Sequence, residues 1–328
     1  RLDEALAALF DGSQYGPEPV RDGEPVAKAG IAPEWLMDRL AASGVEGGEA
    51  AALMGRAPLD VRVNALKAER ASLDLPEPGE ALAAPQALRF DGGTQVEQWD
   101  AYREGRIEVQ DHGSQLACLA AGARAGETVV DLCAGAGGKT LALAAAMENT
   151  GRLIAADTDK RRLSQLAPRA QRAGIAIVEQ RLLDPGREME ALADLEAQAD
   201  CVLIDAPCTG TGTWRRRPDI KWRLSEKNLE ERTAQQDEVL AAACRFVKPG
   251  GLLVYVTCSL LPQENQARIA AFLDSHAEFA PLDIATLWQE RFPSSPRQPH
   301  FTDGRFATLT PASTGTDGFF CAVLGKQG

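Results

Sequence analysis

From about residue 113 onward, short apolar runs alternate with longer segments whose apolar positions recur every three or four residues. The runs 128–132, 153–156, 175–179, 202–204 and 252–257 are rich in Val, Ile and Leu and end at polar or Gly/Pro breakers, which predicts buried strands. Between them, residues 139–147, 161–173, 231–247 and 263–275 carry helical spacing. A helix containing Gln115, Leu116, Leu119 and Ala120 precedes the first strand, and the runs 306–309 and 319–324 are close enough to pair as an antiparallel hairpin around residues 315–318. Strands alternating with helices in this way predict an α/β chain with a doubly wound, mostly parallel sheet. Ligands of such sheets bind at the carboxyl ends of the strands.

The first third of the chain reads differently. Leu2, Leu6 and Leu9, then Trp35, Leu36 and Leu40, predict short helices over 1–56, joined by a turn-rich stretch around residues 16–30. Over 57–112 the alternation of Val61-Arg62-Val63-Asn64 and of Ile107-Glu108-Val109 predicts strands, with Pro76, Pro78 and Pro85 breaking the middle. The expected organisation is therefore a helical segment (1–56), a small α/β subdomain (57–112) and a Rossmann-like domain (113–328).

Composition narrows the class without fixing it. At 45% hydrophobic and 25% charged residues the chain is ordinary for a soluble globular protein. No apolar run approaches the length of a membrane span, so no membrane partner is expected. A net charge of −12 argues against a body coated in positive charge for nucleic acid, yet Trp214, Arg215, Arg216, Arg217, Lys221, Trp222 and Arg223 form one local basic and aromatic cluster. Seven scattered cysteines without a C-x-x-C pair point away from zinc or a disulfide framework and toward a reducing cytoplasm, with no metal expected. His112, His276 and His300 show no triad or metal spacing.

Two stretches carry chemistry. The turn Asp131-Leu132-Cys133-Ala134-Gly135-Ala136-Gly137-Gly138-Lys139-Thr140 fails as a phosphate loop, because Cys133 stands where the first glycine belongs, and fails as a dinucleotide fingerprint, because Thr140 stands at the third. What remains is a strand ending in an acid, a glycine-rich turn into a helix, and a second strand ending at Asp157, an acid suited to ribose hydroxyls. Such a turn suits the amino-acid end of S-adenosyl-L-methionine. The second stretch is 202–222, where an apolar strand closes on Asp205 and Pro207, Cys208, Gly210 and Gly212 force a loop. On the residues alone Cys208 is the first candidate nucleophile. Cys133, Cys201, Cys244 and Cys321 lie in apolar runs and read as core thiols. Trp214 and Trp222 read equally as core anchors or as stacking surfaces for unpaired bases.

With Gly137-Gly138-Lys139-Thr140, Asp205-Ala206-Pro207-Cys208 and Thr257-Cys258-Ser259 in this order, the sequence resembles the RNA cytosine-5 methyltransferases of the NOL/NOP/Sun family, most closely the bacterial Sun (Fmu) 16S rRNA enzymes. The likeness covers about residues 58–328. It includes Arg62-Val63-Asn64, Gln110-Asp111 with Ser114-Gln115, Pro249-Gly250-Gly251 and Thr316-Asp317-Gly318-Phe319-Phe320, and it departs at Gly135-Ala136, where the family usually has Ala-Pro.

The resemblance implies a class I methyltransferase fold, S-adenosyl-L-methionine as cofactor and RNA, specifically 16S rRNA, as partner, in a monomeric cytoplasmic enzyme. It implies that Cys258 attacks carbon 6 of cytosine, that Cys208 assists product release, and that Asp205 is the acid near ring nitrogen 3 with Lys139 beside it. The cofactor is expected against Asp131, Cys133, Ala134, Gly135, Ala136, Gly137, Gly138, Lys139, Asp157 and Asp205, with Asp184 a candidate for the adenine amino group. RNA is expected against Arg62, Asn64, Trp214, Arg215, Arg216, Arg217 and Lys221. In Sun-type proteins a helical RNA-binding domain resembling NusB precedes the rest, and residues 1–56 are expected to be only its last part. A tRNA methyltransferase of the same family, or an inactive RNA-binding assembly factor, are the competing expectations.

Overall fold

Alternating side chains on a strand face opposite sides of a sheet, so a strand that is apolar throughout must be covered on both faces. The computed structural model, which describes residues 30–184, 186–292 and 295–328, satisfies this with helices on both sides of a central parallel sheet. The helices expected over 1–29 lie outside the described residues. Residues Ala32–Gly328 form a single compact unit, which includes the helices Glu34–Ala41 and Gly47–Ala52.

A small antiparallel sheet comes first in the chain. Strands β1 (Leu59–Val63), β2 (Glu80–Ala81), β3 (Ala87–Phe90) and β4 (Ile107–Val109) assemble in the order β2-β3-β1-β4. Val61, Val63, Leu88, Phe90, Val96, Trp99 and Ile107 make its own apolar cluster.

The main sheet is built from β5 (Thr128–Leu132), β6 (Arg152–Asp157), β7 (Val178–Leu182), β8 (Ala199–Asp205) and β9 (Val247–Thr257), extended by β10 (Phe279–Pro281), β11 (His300–Thr302), β12 (Phe306–Leu309) and β13 (Phe319–Lys326). Its order is β11-β12-β13-β9-β8-β5-β6-β7, with β10 against the outer part of β13. The strands β7, β6, β5, β8 and β9 run parallel, and β13 and β12 add the expected antiparallel hairpin to the β9 edge. The pleat sorts the core: Val129, Leu153, Leu203 and Val254 pack on one face, and Val130, Ile154, Val202 and Leu253 on the other. The chain leaves β5 toward β6 and β7, then crosses back to β8 and β9. Strand order therefore reverses at β5, which opens a crevice above its carboxyl end.

Several boundaries differ from the sequence expectation: β9 begins at Val247 instead of residue 252, β8 spans Ala199–Asp205, and the helix expected over 263–275 begins at Gln266. Three further differences have a clear physical reason. The third strand is 178–182 instead of 175–179, because the ladder with β6 pairs Val178 with Leu153 through Leu182 with Asp157. This sheet edge is half-exposed and polar, so no apolar run marks it. The helix expected over 161–173 divides into Lys160–Leu163 and Leu166–Ala173, and the division places Pro168 in a first turn, where its missing N–H costs nothing. The helix expected over 231–247 begins earlier, at a capping box made by Ser225 and Asn228, and runs Glu226–Ala243 so that Val247 can enter β9.

Candidate active site

The turn after β5 is held by its own backbone. Cys133, Gly135 and Gly137 adopt left-handed φ values of 66°, 56° and 85°. A Cβ on Gly137 would lie 2.2 Å from Leu166 Cδ1, so glycine is required there for space as well as for φ. Ala134 N–H donates to Ala156 O at 3.0 Å, and Gly135 N–H donates to Asp157 Oδ2 at 2.7 Å, which ties the turn to the end of β6. Asp157 also accepts from Asp159 N at 2.7 Å through Oδ1. Gly138–Ala146 is the helix that follows, with its first-turn N–H groups opening on the same crevice edge. Asp184 is exposed just beyond β7, next to Leu183, whose N–H donates to Asp157 O at 2.9 Å.

Asp131 ends the strand beneath this turn and is fully buried. Its Oδ2 accepts from Thr140 Oγ1 at 2.5 Å, while Oδ1 has no hydrogen-bond partner among the described residues. Burial pushes its pKa up to about 7; the Thr140 bond opposes this, and the nearby Asp205 charge adds to it. A buried carboxylate with one oxygen unanswered is costly, and a cationic ligand group would satisfy it.

On the other side of the crevice, β8 and β9 deliver Asp205 and Cys258 side by side, with Asp205 in register with Val256. Lys139 reaches across from the cofactor turn and places Nζ 2.7 Å from Asp205 Oδ2. Burial acts to lower the Lys139 pKa, but the Asp205 charge and hydrogen bond carry it above the ordinary lysine range. Cys208 Sγ and Cys258 Sγ lie 3.3 Å apart. The hydrogen bond with Cys258, then burial, holds the Cys208 thiol well above the ordinary cysteine range. The two cysteine loops are also joined by Gly212 N–H donating to Cys258 O at 2.9 Å. Cys201, Cys244 and Cys321 are buried as expected, whereas Cys133 is half-buried in the left-handed turn.

The expected RNA-facing set requires correction. Arg62 is buried and donates to Gln110 Oε1 at 2.8 Å, and buried Asn64 donates to the carbonyls of Gly105 and Ala173, each at 2.9 Å. Arg215 pairs with buried Asp317 at 2.9 Å, and Arg216 bridges Asp317 at 2.5 Å and Asp111 at 3.0 Å. Trp214 is only 1% exposed and is a core anchor. Lys221 is buried, with Nζ 5.5 Å and 5.6 Å from the ring centres of Trp214 and Trp222. These groups stabilise the loop through protein partners. Trp222, at 54% exposure, Arg217 and Arg223 face outward, as does Arg216 despite its two acidic partners.

Sequence reasoning missed two buried acids. Asp317 gathers Arg215 and Arg216, and Glu264 gathers the cysteine loops. A lone acid in a loop looks solvated, and only the three-dimensional convergence of donors distinguishes it. Among the described residues no His, Cys, Asp or Glu cluster could hold a metal ion, and no helix is long and apolar enough to cross a membrane.

Known proteins resemble this chain in sequence and fold. Residues 119–325 match the sequence model of the family described as 16S rRNA methyltransferase RsmB/F. The chain is 33% identical over 305 residues to a probable ribosomal RNA small subunit methyltransferase B of Bacillus subtilis, covering 90% of this chain and 66% of that protein. It is 35% identical over 334 residues to ribosomal RNA small subunit methyltransferase B of Erwinia tasmaniensis, covering 99% of this chain and 70% of that one. The chain thus spans about two thirds of the length of these relatives. Among solved structures it resembles PH0851, with a TM-score of 0.78 and 35% identity over 93% of this chain and 70% of that one. It also resembles a methyltransferase homolog from Pyrococcus horikoshii, with a TM-score of 0.68 and 25% identity over 89% and 99% of the two chains. The fold is that of the class I methyltransferases, and the chain belongs to the 16S rRNA methyltransferase RsmB/F family.

Proposed function

We propose that this chain is an S-adenosylmethionine-dependent RNA (cytosine-5)-methyltransferase acting on 16S rRNA. The observation that carries the reading is the 3.3 Å approach of two thiols beside the strand end that bears Asp205 and its Lys139 partner. Carbon 5 of cytosine is a poor nucleophile, and a thiolate adding to carbon 6 makes it a reactive enamine carbon. Cys258 supplies that thiolate, as the Thr257-Cys258-Ser259 resemblance implies, with Cys208 beside it at 3.3 Å. Asp205 faces ring nitrogen 3, where negative charge develops, and the Lys139 ammonium hydrogen-bonded to Asp205 supplies the positive charge and, through Asp205, the proton that offset it. Transfer of the carbon-5 proton to solvent then restores the ring double bond and expels the Cys258 sulfur as a thiolate, a release that Cys208 assists by hydrogen-bonding to the departing sulfur. The target base must leave its stack to reach this depth.

The cofactor fits the crevice on the chemistry of its donors. Asp131 Oδ1 offers an unanswered acceptor for the amino group, the 133–138 turn offers backbone N–H groups for the carboxylate, and Asp157 faces the ribose hydroxyls, with Asp184 on the adenine side. When bound, S-adenosylmethionine supplies an electrophilic methyl group for the activated carbon 5. RNA contacts fall to Arg216, Arg217, Trp222 and Arg223, the exposed part of the basic cluster.

The test is methylation of 16S rRNA and tRNA transcripts followed by nucleoside mass spectrometry. The expected product is 5-methylcytidine in 16S rRNA alone. Equal methylation of both transcripts contradicts the rRNA assignment, and failure to bind S-adenosylmethionine by calorimetry favours a non-catalytic assembly factor.

A further inference from the structure

Glu264 is fully buried, and four donors converge on its carboxylate. Oε1 accepts from Thr209 N at 2.8 Å and from Gln236 Nε2 at 3.0 Å, and Oε2 accepts from the hydroxyls of Thr209 and Ser259. Thr209 directly follows Cys208, and Ser259 directly follows Cys258. Gln236, from the helix Glu226–Ala243, also donates to Pro207 O at 2.8 Å. Residues flanking both cysteines therefore hang on one carboxylate. The segment carrying Glu264 is itself anchored to β9, by Tyr255 Oη donating to Glu264 O at 2.7 Å and by Thr257 Oγ1 donating to Asn265 Oδ1 at 2.6 Å. Burying an acid at this depth is costly unless its hydrogen bonds are made. The four to Glu264 are made, and Gln236 Oε1 is the atom of the network without a partner among the described residues. Among the described residues Glu264 makes no hydrogen bond to either sulfur, so it acts on them through Thr209 and Ser259.

We propose that Glu264 is the positioning residue of the cysteine pair, holding the two loops so that the Cys208 thiol stays within hydrogen-bonding reach of the Cys258 sulfur. This rests on the two-cysteine reading given above. The charge of Glu264 acts on Cys208 in the same direction as its hydrogen bond with Cys258 and its burial, and only the Gly210 N–H opposes them. The other groups near this end of the pair are the Tyr255 hydroxyl and the Arg268–Asp237 ion pair, at 2.6 Å. With the pair held this way, a Cys208 S–H can donate to the Cys258 sulfur while Cys258 acts as the nucleophile, the Cys258 proton going to solvent.

Thiol alkylation of the full chain by iodoacetamide across the neutral and alkaline range, read peptide by peptide in a mass spectrometer, tests this directly. In the unaltered protein Cys258 should react faster than Cys208. In Glu264→Gln the rate ratio should move toward equality by about tenfold, the effect of one pKa unit on a thiolate population. S-adenosylmethionine affinity should stay within about twofold, a readout that a general loss of structure would not spare. Thr209→Val removes one hydroxyl donor while keeping the carboxylate, and should shift the ratio in the same direction by less; it carries the test if Glu264→Gln does not fold. An unaltered protein in which Cys208 reacts first overturns the two-cysteine reading and this inference with it. A Cys258 preference that survives both substitutions in a folded, cofactor-binding chain overturns this inference alone.

Discussion

Lys139 Nζ stands 2.7 Å from Asp205 Oδ2, and this one ion pair joins the helix after the glycine-rich turn to the end of β8. Lys139 is buried whereas Asp205 is about one-third exposed, so the two substitutions differ in cost. Asp205→Ala strands a buried ammonium and should destabilise the chain by about 2 kcal/mol, less than a fully buried pair because solvent screens the Asp205 side. Lys139→Met removes the buried charge itself and should leave the melting temperature nearly unchanged. Both should lower methylation by about a hundredfold or more, since each removes stabilisation at ring nitrogen 3. Thermal denaturation alongside methylation rates separates the two effects.

Asp131 predicts a pH dependence with a definite sign. Its folded pKa of about 7 lies above the unfolded carboxyl range, so the neutral form stabilises the fold. That stabilisation is complete below about pH 4 and is lost as the pH rises through about 7. Binding of a cationic amino group runs the other way and requires the carboxylate. Affinity for S-adenosylmethionine should therefore rise about tenfold between about pH 6 and about pH 8. Asp131→Asn should weaken binding and flatten the profile. Calorimetry at several pH values measures this, and a flat profile in the unaltered protein contradicts it.

The loop that carries Cys208 meets the approach to β13 backbone to backbone. Gly318 N–H donates to Gly212 O at 2.8 Å, and a Cβ on Gly212 would lie 2.2 Å from Gly318 O. No side-chain rotation relieves a collision with a carbonyl. Gly212→Ala should therefore cost about 1–3 kcal/mol and displace the Cys208 loop, with activity falling more steeply than stability. A melting curve paired with a methylation assay checks this.

Exposure divides the basic cluster into two functional halves. Trp222→Ala and Arg217→Ala should each weaken binding to a single-stranded rRNA fragment by about tenfold without moving the melting temperature, the expected scale of one stacking or phosphate contact. Arg215→Ala should do the reverse, because it strips buried Asp317 of a partner at 2.9 Å and lowers stability. Fluorescence anisotropy and differential scanning calorimetry distinguish the two outcomes.

The central strands were legible because both their faces are covered, and continuous apolar runs such as Val202-Leu203-Ile204 announce that burial. The edge strand 178–182 was misplaced for the opposite reason, since a half-exposed polar edge carries no such run. At the site, the glycine pattern, Asp131, Asp157 and Asp205 could be read along the chain, because each ends a strand or opens a turn. The roles of Arg62, Asn64, Arg215 and Lys221 could not. A basic or amide side chain looks the same in sequence whether it faces RNA or a buried partner such as Asp317, which lies far along the chain. Glu264 was invisible for the same reason, because its donors come from three separate segments.

The account turns on which sulfur attacks and which one releases, and trapping of the covalent RNA complex addresses that choice most directly. Cys208→Ala should attack the target cytosine, accept the methyl group and remain bound to RNA through Cys258, giving a complex that survives denaturing electrophoresis. Cys258→Ala should form no such complex and should not methylate. Adduct formation by Cys258→Ala, with none by Cys208→Ala, would reverse the assignment of the two cysteines.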